Sequence, residues 1–166
     1  NYNMSHLVKC KVCGETFDRD EVPFIKIKSR YAHEDCQQKA QQDAADLRKL
    51  TDLIQQLYRP VKPDWNMVTA QIQRYRKTGK TYMGMYYTLT YFFTIQGNDI
   101  HKGAGVGIIP YVYDRAKAYY RNLDNTYTKA AEIEQRDKID VEQTENIVTI
   151  IHKKPAKKLL DFDYGE

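Results

Sequence analysis

Cys10, Cys13, His33 and Cys36 are the residues whose types and spacing could do chemistry in this chain of 166 residues, and they include all three of its cysteines. Cys10 and Cys13 are separated by two residues and followed by Gly14. A knuckle of that form turns two thiolates toward one ion while backbone amides point at the sulfurs, and glycine permits the tight turn. His33 and Cys36 repeat the two-residue spacing. A helix beginning near His33 projects a histidine at its start and a cysteine three positions later toward one point. Glu34 and Asp35, in its first turn, suit the positive helix end. Three cysteines and a histidine form a tetrahedral donor set suited to one structural Zn2+, and four protein ligands leave no position for a catalytic water. Three buried thiols beside a surface histidine would be the plainer account. The doubled spacing argues against it, and this stretch has too few large apolar residues to fold without a staple. A redox pair at Cys10 and Cys13 leaves His33 and Cys36 unexplained.

On those four residues the chain resembles a treble-clef zinc finger, and the spacing is similar to the first half of a LIM domain. The resemblance covers Leu7 to Leu57. It implies a CxxC knuckle, a β-hairpin, and the last two ligands at the start of a helix. Treble clefs serve as protein adaptors, nucleic-acid binders and nuclease cores, so the resemblance sets a fold and not a function. No second set of four ligands follows, as a LIM domain would have. The paired histidines and the asparagine of an HNH nuclease are also missing, and His6, His101 and His152 are scattered.

The elements that must position the ligands follow from periodicity. Phe24 to Tyr31 alternates as a strand that places Lys26, Lys28 and Arg30 on one face, either solvated or contacting phosphate. Pro23 suits the strand's first position. After Cys36 a helical stripe runs through Ala40, Ala44, Leu47, Leu50, Ile54 and Leu57 and ends at Pro60 and Pro63. Asp64 reads as the N-cap of a helix carrying Trp65, Val68, Ile72 and Tyr75 and stopping before Gly79. A second helix, from about Thr81 to Ile95, carries Tyr82, Met85, Leu89 and Phe92. A third opens near Pro110 with Val112, Ala116, Tyr119 and Leu123. The expected fold is mainly α with a small β-hairpin zinc module (α+β). Its parts are a treble-clef-like module at 4–40, a connecting helix at 41–59, a small helical domain at 62–125, and a charged, partly flexible C-terminal arm at 126–166.

The helix pair around Thr78, Gly79 and Lys80 has helix-turn-helix spacing, but the second helix has no charged residue with which to read bases or grip phosphate. Arg74, Arg76, Lys77 and Lys80 instead make a compact positive edge near the turn, which Lys102 could extend. The segment GNDIHKGAGVGIIP lacks the GxxxxGK[ST] pattern and follows no strand, so it is neither a Walker loop nor a dinucleotide loop. It reads as a mobile or closely packed loop, with a phosphate or partner contact as the alternative. Glu132 to Glu145 is charge-rich and expected to be helical only in part, and Ile147 to Ile151 reads as one short strand. Lys153, Lys154, Lys157 and Lys158 precede LLDFDYGE, a segment that reads as a solubilising tail or a docking motif with Leu160, Phe162 and Tyr164 as anchors.

Composition is that of a globular chain, 42% hydrophobic and 29% charged, with a net charge of +4. Val61 to Arg121 holds nine basic residues against three acidic, whereas Asn122 to Glu166 holds seven against ten. A basic body with an acidic tail suits a phosphate-bearing partner. No stretch is apolar enough for a membrane span, no signal peptide is recognised, and Met4 is expected to be the natural start after Asn1, Tyr2 and Asn3. Three cysteines cannot all pair, which points to a reducing cytoplasm. No nucleophile stands beside a base, and nothing selects Asp99 or Asp114 for acid–base work. The expectation is a non-catalytic accessory protein associated with nucleic acid, or alternatively a protein adaptor or inhibitor of a larger bacterial machine. In style it resembles the small accessory proteins of bacteriophages, which would place it in the host cytoplasm.

Overall fold

Two antiparallel hairpins open the chain. The computed structural model describes residues 6–144 and divides into two units, Asn1–Thr51 and Asp52–Glu166. In the first unit β1 (Leu7–Lys9) pairs with β2 (Thr16–Asp18), placing Val8 opposite Phe17. β3 (Phe24–Ile27) pairs with β4 (Arg30–His33), with Ile27 opposite Arg30 and Lys26 opposite Tyr31. A parallel bridge between Cys10 and Tyr31, with the Lys11 N–H donating to the Tyr31 carbonyl at 2.9 Å, joins the hairpins.

The second hairpin corrects the expectation of one strand from Phe24 to Tyr31. The chain folds back through Lys28 and Ser29, and Lys28 takes a left-handed φ of +57°. Residues paired directly across a ladder share a face, and neighbours along a strand alternate. Lys26 and Arg30 therefore lie on opposite faces, with Lys28 in the turn between them. Alternation along a sequence cannot register such a fold-back, because Ile27 and Arg30 share a face while differing by an odd number of positions.

The first unit's core is small. Cys10, Phe17 and Ala32 are buried, with Val8, Ile27, Tyr31 and Cys36 packed against them. α1 (Glu34–Tyr58) then buries Leu50, Ile54 and Tyr58 at intervals of four. Leu57, expected in that stripe, is half-buried and Ala44 is exposed.

In the second unit α2 (Trp65–Lys77) begins as expected, with the Asp64 carboxylate accepting from the Asn66 and Met67 N–H groups at 3.1 and 3.2 Å. It buries Val68, Ile72 and Tyr75 and leaves Trp65 exposed. It ends in a Schellman arrangement. The Lys80 N–H reaches the Tyr75 carbonyl at 3.2 Å and the Gly79 N–H reaches that of Arg76 at 3.0 Å. α3 (Tyr82–Leu89) is capped by the Thr81 hydroxyl, which accepts from the Gly84 N–H at 2.9 Å. It buries Met83, Met85, Thr88 and Leu89 and packs against the last helix, which is the behaviour of a core helix. Where the sequence implies one helix to Ile95, the segment Thr90–Ile95 winds as a π-helix.

α4 (Ile109–Thr144) buries Ile109, Val112, Tyr113, Ala116 and Tyr120. It continues through residues 132–144, where only partial helicity was expected. From Asn125 to Gln135 its side chains are exposed apart from a half-buried Ala131, so the helix outruns the face that holds it to the core. The loop before it is fastened to α2. Gln71 Nε2 donates to the Ala104 carbonyl at 3.0 Å, and Gln71 Oε1 accepts from the Val106 N–H at 2.8 Å. Of the two readings of the glycine-rich loop, close packing describes its 104–107 portion. The architecture is thus mainly α with two small antiparallel hairpins.

Candidate metal centre

The four sequence-selected residues come from three elements. Cys10 directly follows β1 and Cys13 lies in the turn after it. His33 closes β4, and Cys36 sits in the first turn of α1. The knuckle is set by backbone bonds: Cys10 N–H to Glu15 carbonyl at 2.8 Å and Gly14 N–H to Cys10 carbonyl at 3.0 Å, with Gly14 at φ +81°. That positive φ is accessible to glycine at little cost. The Cys10–Tyr31 bridge then carries the knuckle alongside β4, two residues before His33.

The donor atoms all lie within 4.8 Å of one another, so the group could hold a metal ion. His33 Nδ1 is 3.5 Å from Cys13 Sγ and 3.5 Å from Cys36 Sγ. For bonds of about 2.3 Å to sulfur and about 2.0 Å to nitrogen, tetrahedral coordination separates neighbouring donors by roughly 3.5–3.8 Å. The imidazole nitrogen facing the sulfurs is Nδ1, leaving Nε2 on the far side of the ring. Phe17 packs on that ring with centroids 4.1 Å apart, fixing its plane.

The thiols differ in their readiness to ionise. Burial pushes Cys10 up, but N–H groups of Cys13, His33 and Val12, with the Cys13 thiol, more than offset it and bring its pKa down to about 6. The Val12 N–H lies 3.4 Å from Cys10 Sγ. Cys36 goes the other way, to about 11, through burial and then through the neighbouring Cys13 and Cys10 sulfurs. Crowded sulfurs whose charges repel are stabilised together when a cation sits among them.

The basic residues selected from the sequence are not gathered into one site. Lys26, Lys28 and Arg30 are exposed and divided between the faces and the turn of the second hairpin. In the second unit Arg74, Arg76, Lys77 and Lys80 collect at the end of α2 and the turn after it. Arg74 and Lys77 are exposed. Arg76 lies over the Tyr82 ring at 4.3 Å, and Lys80 lies over Tyr113 at 5.3 Å while donating to the Thr78 hydroxyl at 3.2 Å. Three of the four complement the negative end of α2. Leu160, Phe162 and Tyr164, and the lysines at Lys153–Lys158, lie outside the described residues. Phe17 and Tyr31 escaped the sequence reading as supports of the centre, since a three-residue strand and a bridge residue carry no periodic signal.

The family model described as SPbeta prophage protein YorH matches residues 10–163, a span that begins at Cys10 and takes in all four ligand candidates. The chain belongs to this YorH family. It is 32% identical over 156 residues to the SPbeta prophage-derived protein YorH of Bacillus subtilis (strain 168), covering 93% of this chain and 94% of that one. No solved structure matches. The expected likeness to phage accessory proteins agrees with a prophage family, whereas the zinc-finger likeness is not confirmed by it. No helix among the described residues is long and apolar enough to cross a membrane.

Proposed function

We propose that this YorH-family chain is a structural-zinc accessory protein, non-catalytic, that associates with nucleic acid in the host cytoplasm. Zinc is supported by the donor set and its spacing. Three cysteine sulfurs and one imidazole, whose Nδ1 stands at a tetrahedral separation from two of the sulfurs, suit Zn2+ better than the hard, oxygen-preferring cations. Four protein ligands complete the ion's coordination, which favours holding the hairpins over activating water.

Nucleic-acid association is carried by one observation, the positive end of α2. Arg74 and Lys77 stand exposed there, within a span of nine basic and three acidic residues from Val61 to Arg121. Charge reversal at Arg74 and Lys77 should weaken binding of a labelled oligonucleotide and flatten its salt dependence. Absence of any binding at low salt would remove this reading.

A protein-adaptor role has its own support in α4. Beyond the core-facing part of that helix, Tyr127 and Ile133 are 52% and 58% exposed. Such side chains suit a partner's apolar groove. Truncation after Asn146, followed by pull-down from bacterial lysate, separates that surface from the terminal motif at Leu160, Phe162 and Tyr164. A partner kept after truncation points to α4, and a partner lost points to the motif.

A further inference from the structure

An open groove of about 530 Å³ lies in the first unit between the knuckle and the turn of the second hairpin. Lys9, Lys11, Gly14, Ser29, Arg30 and Tyr31 line it, and no carboxylate does. Lys9, Lys11 and Arg30 are exposed, and none of their three side chains has a hydrogen-bond or ion-pair partner among the described residues. A divalent ion with three thiolates would leave the neighbouring centre with one formal negative charge and Glu15, 3.9 Å from Cys13 Sγ, adds a second, which the three cations still exceed. The surplus faces the groove.

We infer that this groove binds phosphate groups, and that in the nucleic-acid reading above, on which this assignment rests, it holds the phosphodiester backbone of a strand. Arg30 offers a planar fork and the lysines two mobile ammonium groups, a combination suited to phosphate oxygens. The Ser29 hydroxyl can add a hydrogen bond. The space beside Gly14 is open, since a Cβ there would meet nothing nearer than Lys9 Cε at 3.9 Å. The volume lies within the roughly 300–1,000 Å³ of ligand-sized clefts, more than a single tetrahedral anion needs. The contacts address backbone and not bases. The one aromatic wall, Tyr31, is already engaged by Arg19, whose Nη1 donates to its hydroxyl at 3.0 Å, and by Lys26 at 5.8 Å from its ring centroid. Contacts of this kind fix position and carry no sequence preference.

Lys9 and Lys11 flank Cys10 and carry no periodic or spacing signal of their own. The Cys10–Tyr31 bridge brings Arg30 beside them. The test uses the full chain with its metal and the variant Lys9→Ser/Lys11→Ser/Arg30→Ser, accepted only if metal content and circular dichroism match the parent. A labelled single-stranded oligonucleotide is titrated across a salt series, and pyrophosphate is titrated with the backbone amides followed by NMR. The variant should lose about tenfold or more in oligonucleotide affinity, and its log–log salt slope should be shallower by roughly 2, at about 0.7 for each of three phosphate contacts. Pyrophosphate should shift the amides of Lys11, Ser29 and Arg30 in the parent and not in the variant. Oligonucleotide binding left unchanged by the variant would overturn the groove while the proposed function stood. Pyrophosphate shifts without oligonucleotide binding would keep the groove and remove the nucleic-acid reading. Silence in both titrations would remove both.

Discussion

The side chain of Gln71 occupies the space that a Cβ on Gly105 would need. Its amide bonds the residues on either side of that glycine, Ala104 through Nε2 and Val106 through Oε1. Gly105 has φ +59° and is buried, so both the backbone conformation and the close approach require glycine. Nearby, the Tyr58 hydroxyl is buried close to the Gly105 N–H but outside hydrogen-bond geometry, and burial raises its pKa more than that amide lowers it.

Gln71→Ala should therefore destabilise the second unit by about 1–3 kcal/mol, because a backbone donor and an acceptor lose their partner together. Gln71→Glu keeps the acceptor for Val106 and loses the donor to Ala104, so it should fall between. Gly105→Ala should cost at least as much as Gln71→Ala. Denaturant midpoints at unchanged m-value measure the order, and equal stability of all three variants would contradict the clamp.

Elemental analysis should find one zinc per chain. Removing it with a chelator, or substituting Cys10→Ser or Cys36→Ser, should abolish the strand-type amide signals of residues 7–33. Methyl signals from Val68, Met85, Leu89 and Val112 in the second unit should persist. A metal-free chain with intact hairpins would refute the staple.

Alkali should attack the second unit through its tyrosines. Tyr120 is held up at about 12 by burial and then by Tyr119, Tyr87 and Tyr86, and Tyr75 is raised chiefly by burial. A phenol whose folded pKa exceeds its unfolded value stabilises fully below the unfolded value, about 10, and loses that contribution as pH rises through the folded one. Unfolding is thus expected between about pH 10 and pH 12, followed by tyrosinate absorbance and helical circular dichroism together. Tyr120→Phe keeps the ring contacts with Tyr87 and Tyr119, at 4.9 and 5.1 Å, and should move the transition to higher pH.

Lys28→Gly should stabilise the first unit by about 1 kcal/mol, since glycine adopts a left-handed φ without the Cβ clash. Thermal unfolding of the metal-loaded chain measures it. Lys28→Val, β-branched at the same position, should destabilise.

The candidate metal ligands were legible because their signal is chemical and local: two pairs of donors, each with two residues between. The α2 cap at Asp64 and its stop before Gly79 were legible for a similar reason, since both are single-residue rules. The hairpin turn at Lys28 was not, because lysine is no turn marker and the alternation runs on through it. Tyr58 is buried where the expected stripe runs to Leu57, because the four-residue interval from Leu50 and Ile54 carries it inward. The π-helical segment Thr90–Ile95 follows an uncharged aromatic run whose stripe already looked wide enough for an α-helix. The groove was beyond sequence reading, since Lys11 and Arg30 become neighbours through a bridge between two hairpins.

That bridge is also thin. One parallel backbone bridge joins two hairpins whose buried core comprises Cys10, Phe17 and Ala32, while Cys13 and His33 are 20 positions apart in the chain. A cross-link closing a loop of that length removes about 3 kcal/mol of chain entropy from the unfolded ensemble, by analogy with disulfides. Unlike a disulfide, an ion can be withdrawn and returned without redox chemistry. With an ion bound there, the order of residues 6–51 would become a function of metal activity in the surroundings, and competing chelators would set how long the folded form lasts.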